Sequence, residues 1–379
     1  MRRSEKNYNT EIGVPLTILG TRHYGKNVFG WAIAFVRVLF RIAFRGAAYP
    51  EILVLEMGAD RPGDIGYLVS LAPPAIGVVT AVGEAPSHVE FFSGTDALAL
   101  EKAKLIEAVP ANGYVILNAD DPRVSAMARS AGGRVLTYGF GSAAGVRIGG
   151  YGLRISARPD GTRSADGIRF TLTHHGASAA VALKNTFGRP QAYAAAAAAC
   201  VGLALGQPLS EIAQALGRYE SPPGRLKLLA GNKRAQILDD TYNASPSAVL
   251  AALEVLREFP ASRRIAVLGD MLELGAHTEE AHRAAGEAAA GVVNVFIAVG
   301  ERMKFALQAL PAREDLVVLW CAESREAGQK LDQLLRPGDA VLVKGSQAMR
   351  MERAVEEIMA EPARARELLV RQTGDWLRG

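Results

Sequence analysis

Short apolar runs alternate with segments of helical period along almost the whole chain, spaced as strands joined by crossover helices would be. Residues 52–57, 75–82 and 114–118 read as strands, each delivering polar residues at its carboxyl end, and residues 95–109 read as the helix between the second and third. From 135 to 183 the apolar runs alternate with Gly-containing turns, and a polar Arg-Pro-Asp-Gly-Thr-Arg segment stands at 158–163. That stretch predicts an antiparallel appendage. Residues 192–205 are almost all Ala, Leu, Val and Gly, and a helix so poor in polar positions must be buried against its own domain. A second helix is predicted at 209–216. Ser221-Pro222-Pro223-Gly224 then breaks the pattern, because proline cannot continue a helix. The domain boundary is placed there, dividing the chain into 1–221 and 222–379.

Beyond the boundary the alternation becomes regular. Strands are predicted at 236–239, 264–268, 294–299, 316–320 and 340–344, separated by helices of ordinary length. The expected class is α/β: a parallel sheet with an antiparallel appendage, followed by a Rossmann-like doubly wound C-terminal domain. A length of 379 residues agrees, since one hydrophobic core rarely serves so long a chain. Residues 28–44 are strongly apolar over the length of a short span, but Arg37 and Arg41 interrupt them on one helical face. The pattern predicts a partly buried or interfacial amphipathic helix in place of a spanning one, with no membrane contact expected for the protein as a whole.

Composition changes this picture little. The chain is 49% hydrophobic and 22% charged, with no biased tract that would suggest disorder. Its net charge of +4 suits nucleotides or phosphates without requiring them, and nucleic acid is not expected. Cys200 and Cys321 are the only cysteines and both stand in apolar surroundings. They read as core residues of a protein from a reducing compartment, the cytoplasm, since Met-Arg-Arg-Ser-Glu-Lys leads into no apolar signal core.

The candidate chemistry lies at strand ends. Glu56 closes the first predicted strand; a carboxylate there can hold Mg²⁺ with water and phosphate, though alone it reads as a surface glutamate. His88 follows the next strand, solvated or a metal or phosphate partner. Lys102 lies in the helix after it. A buried lysine loses its charge readily, and a neutral amine can take up CO₂ as a carbamate; the plain alternative is a surface salt bridge. Asn118-Ala119-Asp120-Asp121-Pro122 closes the third strand, a cluster that also makes ordinary turns. In the second half, Arg225 beside the hinge suits a phosphate, Asp240 a ribose hydroxyl, and Asn243 the nucleotide. Lys344-Gly345-Ser346 ends the last strand, and Asp270, Glu273 and His282 cluster near the second.

The run Ile237-Leu238-Asp239-Asp240-Thr241-Tyr242-Asn243-Ala244-Ser245-Pro246-Ser247 arrives just after Pro223-Gly224-Arg225. Together with Val267-Leu268-Gly269-Asp270-Met271-Leu272-Glu273-Leu274-Gly275 and Val341-Leu342-Val343-Lys344-Gly345-Ser346, it resembles the C-terminal half of an ATP-dependent Mur ligase. Asn7-Tyr8-Asn9-Thr10-Glu11-Ile12-Gly13-Val14-Pro15-Leu16-Thr17 resembles the stretch that follows the family's phosphate loop, and the likeness covers residues 5–360. It implies an amide-bond ligase of peptidoglycan precursor synthesis that uses ATP and Mg²⁺. The Asp-Asp-Thr-Tyr-Asn-Ala string is most similar to the branch that joins D-alanyl-D-alanine to UDP-N-acetylmuramoyl-tripeptide through an acyl phosphate. By the same likeness Glu56, His88 and carbamylated Lys102 serve the metals. Arg225, Asp240, Asn243, Asn118 and Gln191 serve the nucleotide. Asn9, Lys344, Ser346, Asp270 and Glu273 meet the peptide substrates.

Two departures accompany the resemblance. Gly20-Thr21-Arg22-His23-Tyr24-Gly25-Lys26-Asn27 matches seven positions of a phosphate loop, but Asn27 stands where a Ser or Thr should bind Mg²⁺. The central ATPase domain is therefore expected to be incomplete at its N-terminus, with this chain inactive alone or its loop supplied by a separate chain. Gly188-Arg189-Pro190-Gln191-Ala192-Tyr193-Ala194 also lacks the imidazole and amides that relatives carry, Gln191 substituting in part. A sister ligase, adding diaminopimelate or lysine or building folylpolyglutamate, and a non-catalytic nucleotide-binding protein stay open as alternatives.

Overall fold

The structure, a computed structural model, describes residues 1–4, 8–43, 49–82, 92–157, 163–372 and 376. At the N-terminus β1 (Arg2–Arg3) is followed by α1 (Gly13–Leu19) and α2 (Val28–Ala43), and pairs in parallel with β2 (Leu53–Val54). The strand expected at 52–57 thus contracts to two residues. Its described ladder partner is itself only two residues long. The Gly20–Asn27 string joins one helix to another: Gly20 ends α1 at φ 67°, Gly25 turns at φ 57°, and α2 begins at Val28. A phosphate loop leads from a strand into a helix, and this string does not.

The chain continues through α3 (Asp64–Leu71), β3 (Ile76–Val79), α4 (Thr95–Glu107), β4 (Tyr114–Asn118), α5 (Pro122–Ala126) and β5 (Arg134–Gly139). Three long strands follow, β6 (Val146–Ala157), β7 (Arg163–His174) and β8 (Ala177–Lys184), then α6 (Arg189–Ala204) and α7 (Leu209–Leu216). The six strands β3 to β8 stand side by side in chain order, parallel from β3 to β6 and antiparallel from β6 to β8. The antiparallel part is therefore a continuation of the parallel sheet. Val115 and Leu117 face α4 while Ile116 faces α6 and α7, the two-residue alternation of a strand covered on both sides. The six alanine and cysteine positions of α6 that are buried let it lie close on the sheet, as its composition requires.

The second half contains β9 (Lys227–Ala230), β10 (Gln236–Asp240), α8 (Pro246–Glu258), β11 (Arg263–Gly269), α9 (Thr278–Ala290), β12 (Val295–Val299), α10 (Met303–Gln308), β13 (Val317–Cys321), α11 (Ser324–Leu334), β14 (Asp339–Lys344), α12 (Glu352–Ile358) and α13 (Ala365–Leu368). The sheet order is β13-β12-β11-β14-β10-β9, parallel except for β9. Leu238, Ala266, Leu268, Phe296, Ala298 and Leu342 pack with α8, α9 and α10, whereas Ile237, Ile265, Val267, Ile297, Val341 and Val343 pack with α11, α12 and α13. The crossovers leave neighbouring strands β11 and β14 on opposite faces. That switch is where an open α/β sheet forms a ligand crevice.

The two halves share packing. Phe187 stacks edge-on against Phe259 at 5.6 Å, Leu228 N–H donates to Asn185 Oδ1 at 2.8 Å, and Ser164 Oγ donates to Gln236 Oε1 at 2.8 Å.

Candidate active site

On the first sheet the ends of β3 and β4 are stitched together by short polar side chains. Asn118 donates through Nδ2 to Thr80 O at 3.1 Å, and Asp121 Oδ2 accepts the Val82 N–H at 2.8 Å. Asp121 also caps α5, accepting from the Arg123 and Val124 N–H groups, first-turn donors that have no carbonyl a turn before them. The polar cluster after β4 therefore holds the loop that leaves β3, and it does so with Asn118 buried. His88 belongs to that loop and lies outside the described residues.

Lys102 on α4 reaches the same strand end, its Nζ donating to Ala81 O at 2.8 Å. Burial pushes the ammonium below the ordinary lysine value, and the Asp121 charge opposes this without cancelling it. The shift enlarges the neutral amine fraction, the form a carbamate needs. Lys104, by contrast, pairs with buried Glu101 at 2.7 Å.

Glu56 and Asn9 meet across 47 residues of sequence. Asn9 Nδ2 donates to Glu56 Oε1 at 3.3 Å, and Asn9 O accepts the Gly58 N–H at 2.8 Å. The pairing leaves Glu56 exposed. Among the described residues no group of three or more His, Cys, Asp and Glu side chains gathers to hold a metal. A Mg²⁺ ion here would draw its remaining ligands from water and phosphate, which is its usual preference.

Gln191 lies in the first turn of α6, half-buried, beside Arg189 and Tyr193, to which the sequence assigned no role. Arg189 lies over the Phe140 ring at 3.8 Å, and Tyr193 donates to Asp120 Oδ2 at 2.8 Å. Burial opposes ionisation of Asp120, but hydrogen bonds from the Phe140 N–H, the Tyr193 hydroxyl and the Gly141 N–H, with the Arg189 charge, hold its carboxyl below the ordinary value. The available signal was the Arg in Gly188-Arg189-Pro190, adjacent to the positions that had changed.

On the second sheet the carboxyl ends of β10, β14 and β11 lie side by side. Asp240 was expected to face a ribose and Lys344 an acceptor carboxylate; here each is the other's partner. Lys344 Nζ lies 2.6 Å from Asp240 Oδ2 and donates also to Asn243 O at 2.9 Å, while the Leu226 N–H donates to Asp240 Oδ1 at 3.1 Å. Lys344 is only 3% exposed, so this ion pair is part of the interior. Neighbouring Asp239 points to the opposite face, wholly buried, accepting from the Gly224 N–H at 3.0 Å and the Thr241 hydroxyl at 2.6 Å. Burial raises its carboxyl to about 6 against the Thr241 hydrogen bonds. The two adjacent carboxylates thus strap the hinge segment Gly224–Leu226 onto β10.

Arg225 projects from that strap, exposed, its guanidinium 3.9 Å over the Tyr242 ring. Stacking leaves the edge of its donor fork available to a phosphate. Asn243, exposed at the β10 corner, accepts the Ala244 N–H at 2.9 Å and the Gln347 N–H at 3.3 Å. Ser346 Oγ accepts the Leu272 N–H at 2.8 Å, and Asp270 Oδ1 accepts the Met303 N–H at 2.8 Å. Both are buried and brace the β11–β14 crevice from below. Glu273 occupies an exposed left-handed corner at φ 62°, and His282, fully buried, fixes the loop by accepting the Met271 N–H at Nε2, 3.0 Å. Its Nδ1 lies 2.6 Å from Thr278 O, so the proton sits on Nδ1 and the ring is neutral; burial lowers its pKa accordingly.

One further group was invisible in sequence. Arg371 donates to the carbonyls of Thr241 and Tyr242 and pairs with Glu352 at 2.7 Å, a carboxylate with no exposure that also holds Arg350 at 2.6 Å. The tail of the chain thereby fixes the corner that carries Asn243.

The chain is also similar to known proteins. Residues 36–202 match the Mur ligase middle domain and residues 224–347 match the Mur ligase, glutamate ligase domain. The chain is 32% identical to the UDP-N-acetylmuramoyl-tripeptide--D-alanyl-D-alanine ligase of Mycobacterium tuberculosis, over 93% of this chain and 66% of the relative. It is 31% identical to the enzyme of the same name from Mycobacterium leprae, over 94% of this chain and 68% of the relative. The crystal structure of MurF ligase from Thermotoga maritima in complex with ADP superposes with a TM-score of 0.74 at 27% identity, covering 94% of this chain and 72% of that one. The chain thus spans about two thirds of the length of these proteins.

Proposed function

Because this chain belongs to the Mur ligase family, we propose that it carries the nucleotide and acceptor halves of a ligase that joins D-alanyl-D-alanine to UDP-N-acetylmuramoyl-tripeptide at the expense of ATP. The observation that carries the reading is continuity: one alignment to a relative named for that activity runs across both halves, 31% identical over 94% of the chain. In this reaction the tripeptide carboxylate becomes an acyl phosphate, and the amine of the dipeptide displaces the phosphate through a tetrahedral intermediate. The work left to the protein is positioning and charge stabilisation.

The residues divide accordingly. Asn9 orients Glu56, which with the His88 loop and Lys102 would hold Mg²⁺, whose charge would offset that of the phosphoryl oxygens. Lys102 meets the requirement for a carbamate, a lowered pKa on a half-buried amine. Arg225, free at its edge beside the hinge, is the nucleotide-side cation, and Asn243 with Gln191 and Asn118 completes the nucleotide contacts. Ser346, Asp270 and Glu273 border the crevice for the dipeptide, and the buried Lys344–Asp240 pair braces its edge. The junction between the halves is placed at 221/222.

Isothermal titration of the 379-residue chain with D-alanyl-D-alanine, meso-diaminopimelate, lysine and glutamate tests the acceptor assignment. The dipeptide is expected to bind at least about tenfold more tightly than any single amino acid, a gap of about 1.4 kcal/mol. Preference for one of the amino acids would move the chain to a sister ligase. In a coupled assay with ATP and the UDP-linked tripeptide, these 379 residues alone are expected to give no condensation. Product formation would restore Gly20 to Lys26 as a working phosphate loop and remove the non-catalytic alternative.

A further inference from the structure

The helix α2 is seated the wrong way round for a soluble surface. Its contact side consists of Gly30 and Ala34, both buried, with Trp31 and Val38 half-buried beside them. A Cβ at Gly30 would stand 2.5 Å from the Tyr24 ring, so the helix depends on that small residue to sit down. The opposite side presents Val28, Phe29, Ile33, Phe35, Val36, Leu39 and Phe40 to solvent, with exposures from 52% at Ile33 to 84% at Phe29. The arrangement is built and held: Asn27 Oδ1 accepts the Gly30 N–H at 2.9 Å, and Trp31 Nε1 donates to Gly25 O at 3.0 Å.

Charge decides what covers this face. From Ile12 to Pro50 the sequence contains no Asp or Glu, while Arg22, Lys26, Arg37, Arg41 and Arg45 are cationic. Arg37 borders the apolar face and, with Arg2, Arg3 and Arg22, lines a cleft of about 420 Å³ between α1 and α2. Among the described residues no carboxylate forms an ion pair with any of these four arginines. A second copy of the chain would bring the same cations into contact with themselves, and the segment itself brings no counter-charge.

We propose that α2 is a membrane-docking helix: its apolar face enters the headgroup and acyl boundary of a bilayer while the arginine cleft takes anionic phospholipid headgroups. At 16 residues and 1.5 Å per residue it is about 24 Å long and lies in the interface plane. No helix among the described residues is long and apolar enough to cross a membrane. Phe and Leu supply the buried area and the arginines supply selectivity for acidic lipid, each worth more near a negatively charged surface than in bulk solution. The proposal replaces the sequence expectation of no membrane contact and stands independently of the ligase assignment.

The test is flotation of the 379-residue chain with vesicles of phosphatidylcholine alone and of phosphatidylcholine with phosphatidylglycerol. Binding is expected to the acidic vesicles, weakening as salt is raised. F35D/L39D, altered only at exposed positions, keeps the circular dichroism and melting curve of the parent and loses about tenfold or more in vesicle affinity. R37E narrows the preference for acidic over neutral vesicles. Failure of the parent chain to float with acidic vesicles overturns the proposal, as does equal flotation of F35D/L39D. So does a dimer seen by light scattering that dissolves in F35D/L39D without vesicle binding, which gives the face to a second copy. Full displacement by inorganic phosphate at moderate ionic strength would assign the cleft to free anions and equally refute lipid docking.

Discussion

Replacing Lys344 with methionine removes the ammonium but little volume, and leaves the Asp240 carboxylate interior with one described donor, the Leu226 N–H at 3.1 Å. The pair is short, 2.6 Å, and the lysine is 3% exposed, so the partner left behind recovers almost no water. Breaking a buried pair from one side costs about 3–5 kcal/mol, whereas replacing both partners by apolar groups is close to neutral. K344M is therefore expected to destabilise the second half by about 3–5 kcal/mol. D240L should cost a similar amount, since it leaves the ammonium with Asn243 O alone. The double variant D240L/K344M should cost far less than the sum and no more than either single variant, a coupling of at least about 3 kcal/mol. Urea unfolding followed by tryptophan fluorescence is the natural assay, because two of the three tryptophans, Trp320 and Trp376, lie in that half. Additive single costs, or K344M within about 1 kcal/mol of the parent, would refute the claim that this is a desolvated, mutually dependent pair.

Two further outcomes follow from titratable groups. Asp239 has a folded-state pKa raised from 3.8 to about 6, so the folded chain takes up a proton at this site before the unfolded chain does. The stability of the parent minus that of D239N should consequently rise as pH falls from about 6.5 to 4, by up to about 3 kcal/mol, and level off above that window. A difference that does not vary between pH 4 and 7 would mean the carboxyl is not strained by burial. For Lys102, NMR with ¹³C-bicarbonate should show a carbamate resonance in the parent that vanishes in K102R, whose guanidinium does not form one. A spectrum without it, at neutral to mildly alkaline pH, would return Lys102 to a plain hydrogen bond with Ala81 O.

The second half was legible because parallel strands buried on both faces write themselves as continuous apolar runs. The run expected at 340–344 is β14 (Asp339–Lys344) to within a residue, and 264–268 lies inside β11 (Arg263–Gly269). Tyr114–Asn118 matched for the same reason. Residues 52–57 misled because an apolar run shows capacity to pair and does not fix the length of the partner strand, here the two residues of β1. Asp240 and Lys344 were each legible as strand-end charges, but their pairing depends on β14 inserting between β10 and β11. That is a topological fact 104 residues of separation conceal. Periodicity likewise marked residues 28–44 as amphipathic without saying which side is seated. The seat is chosen by Gly30 and Ala34, residues a hydropathy pattern hardly weighs.

The reach of Arg371 gives the stretch after α13 an unusual standing. Chain termini are normally the safest places to trim or to attach an affinity tag, because little depends on them. Here the Arg371 guanidinium is the clasp on Thr241 and Tyr242, and it balances half the charge environment of a carboxylate sealed from water. Shortening the chain past that point amounts to a lesion in the corner that carries Asn243, some 130 residues upstream, so boundaries for any engineered version are better drawn with that clasp intact.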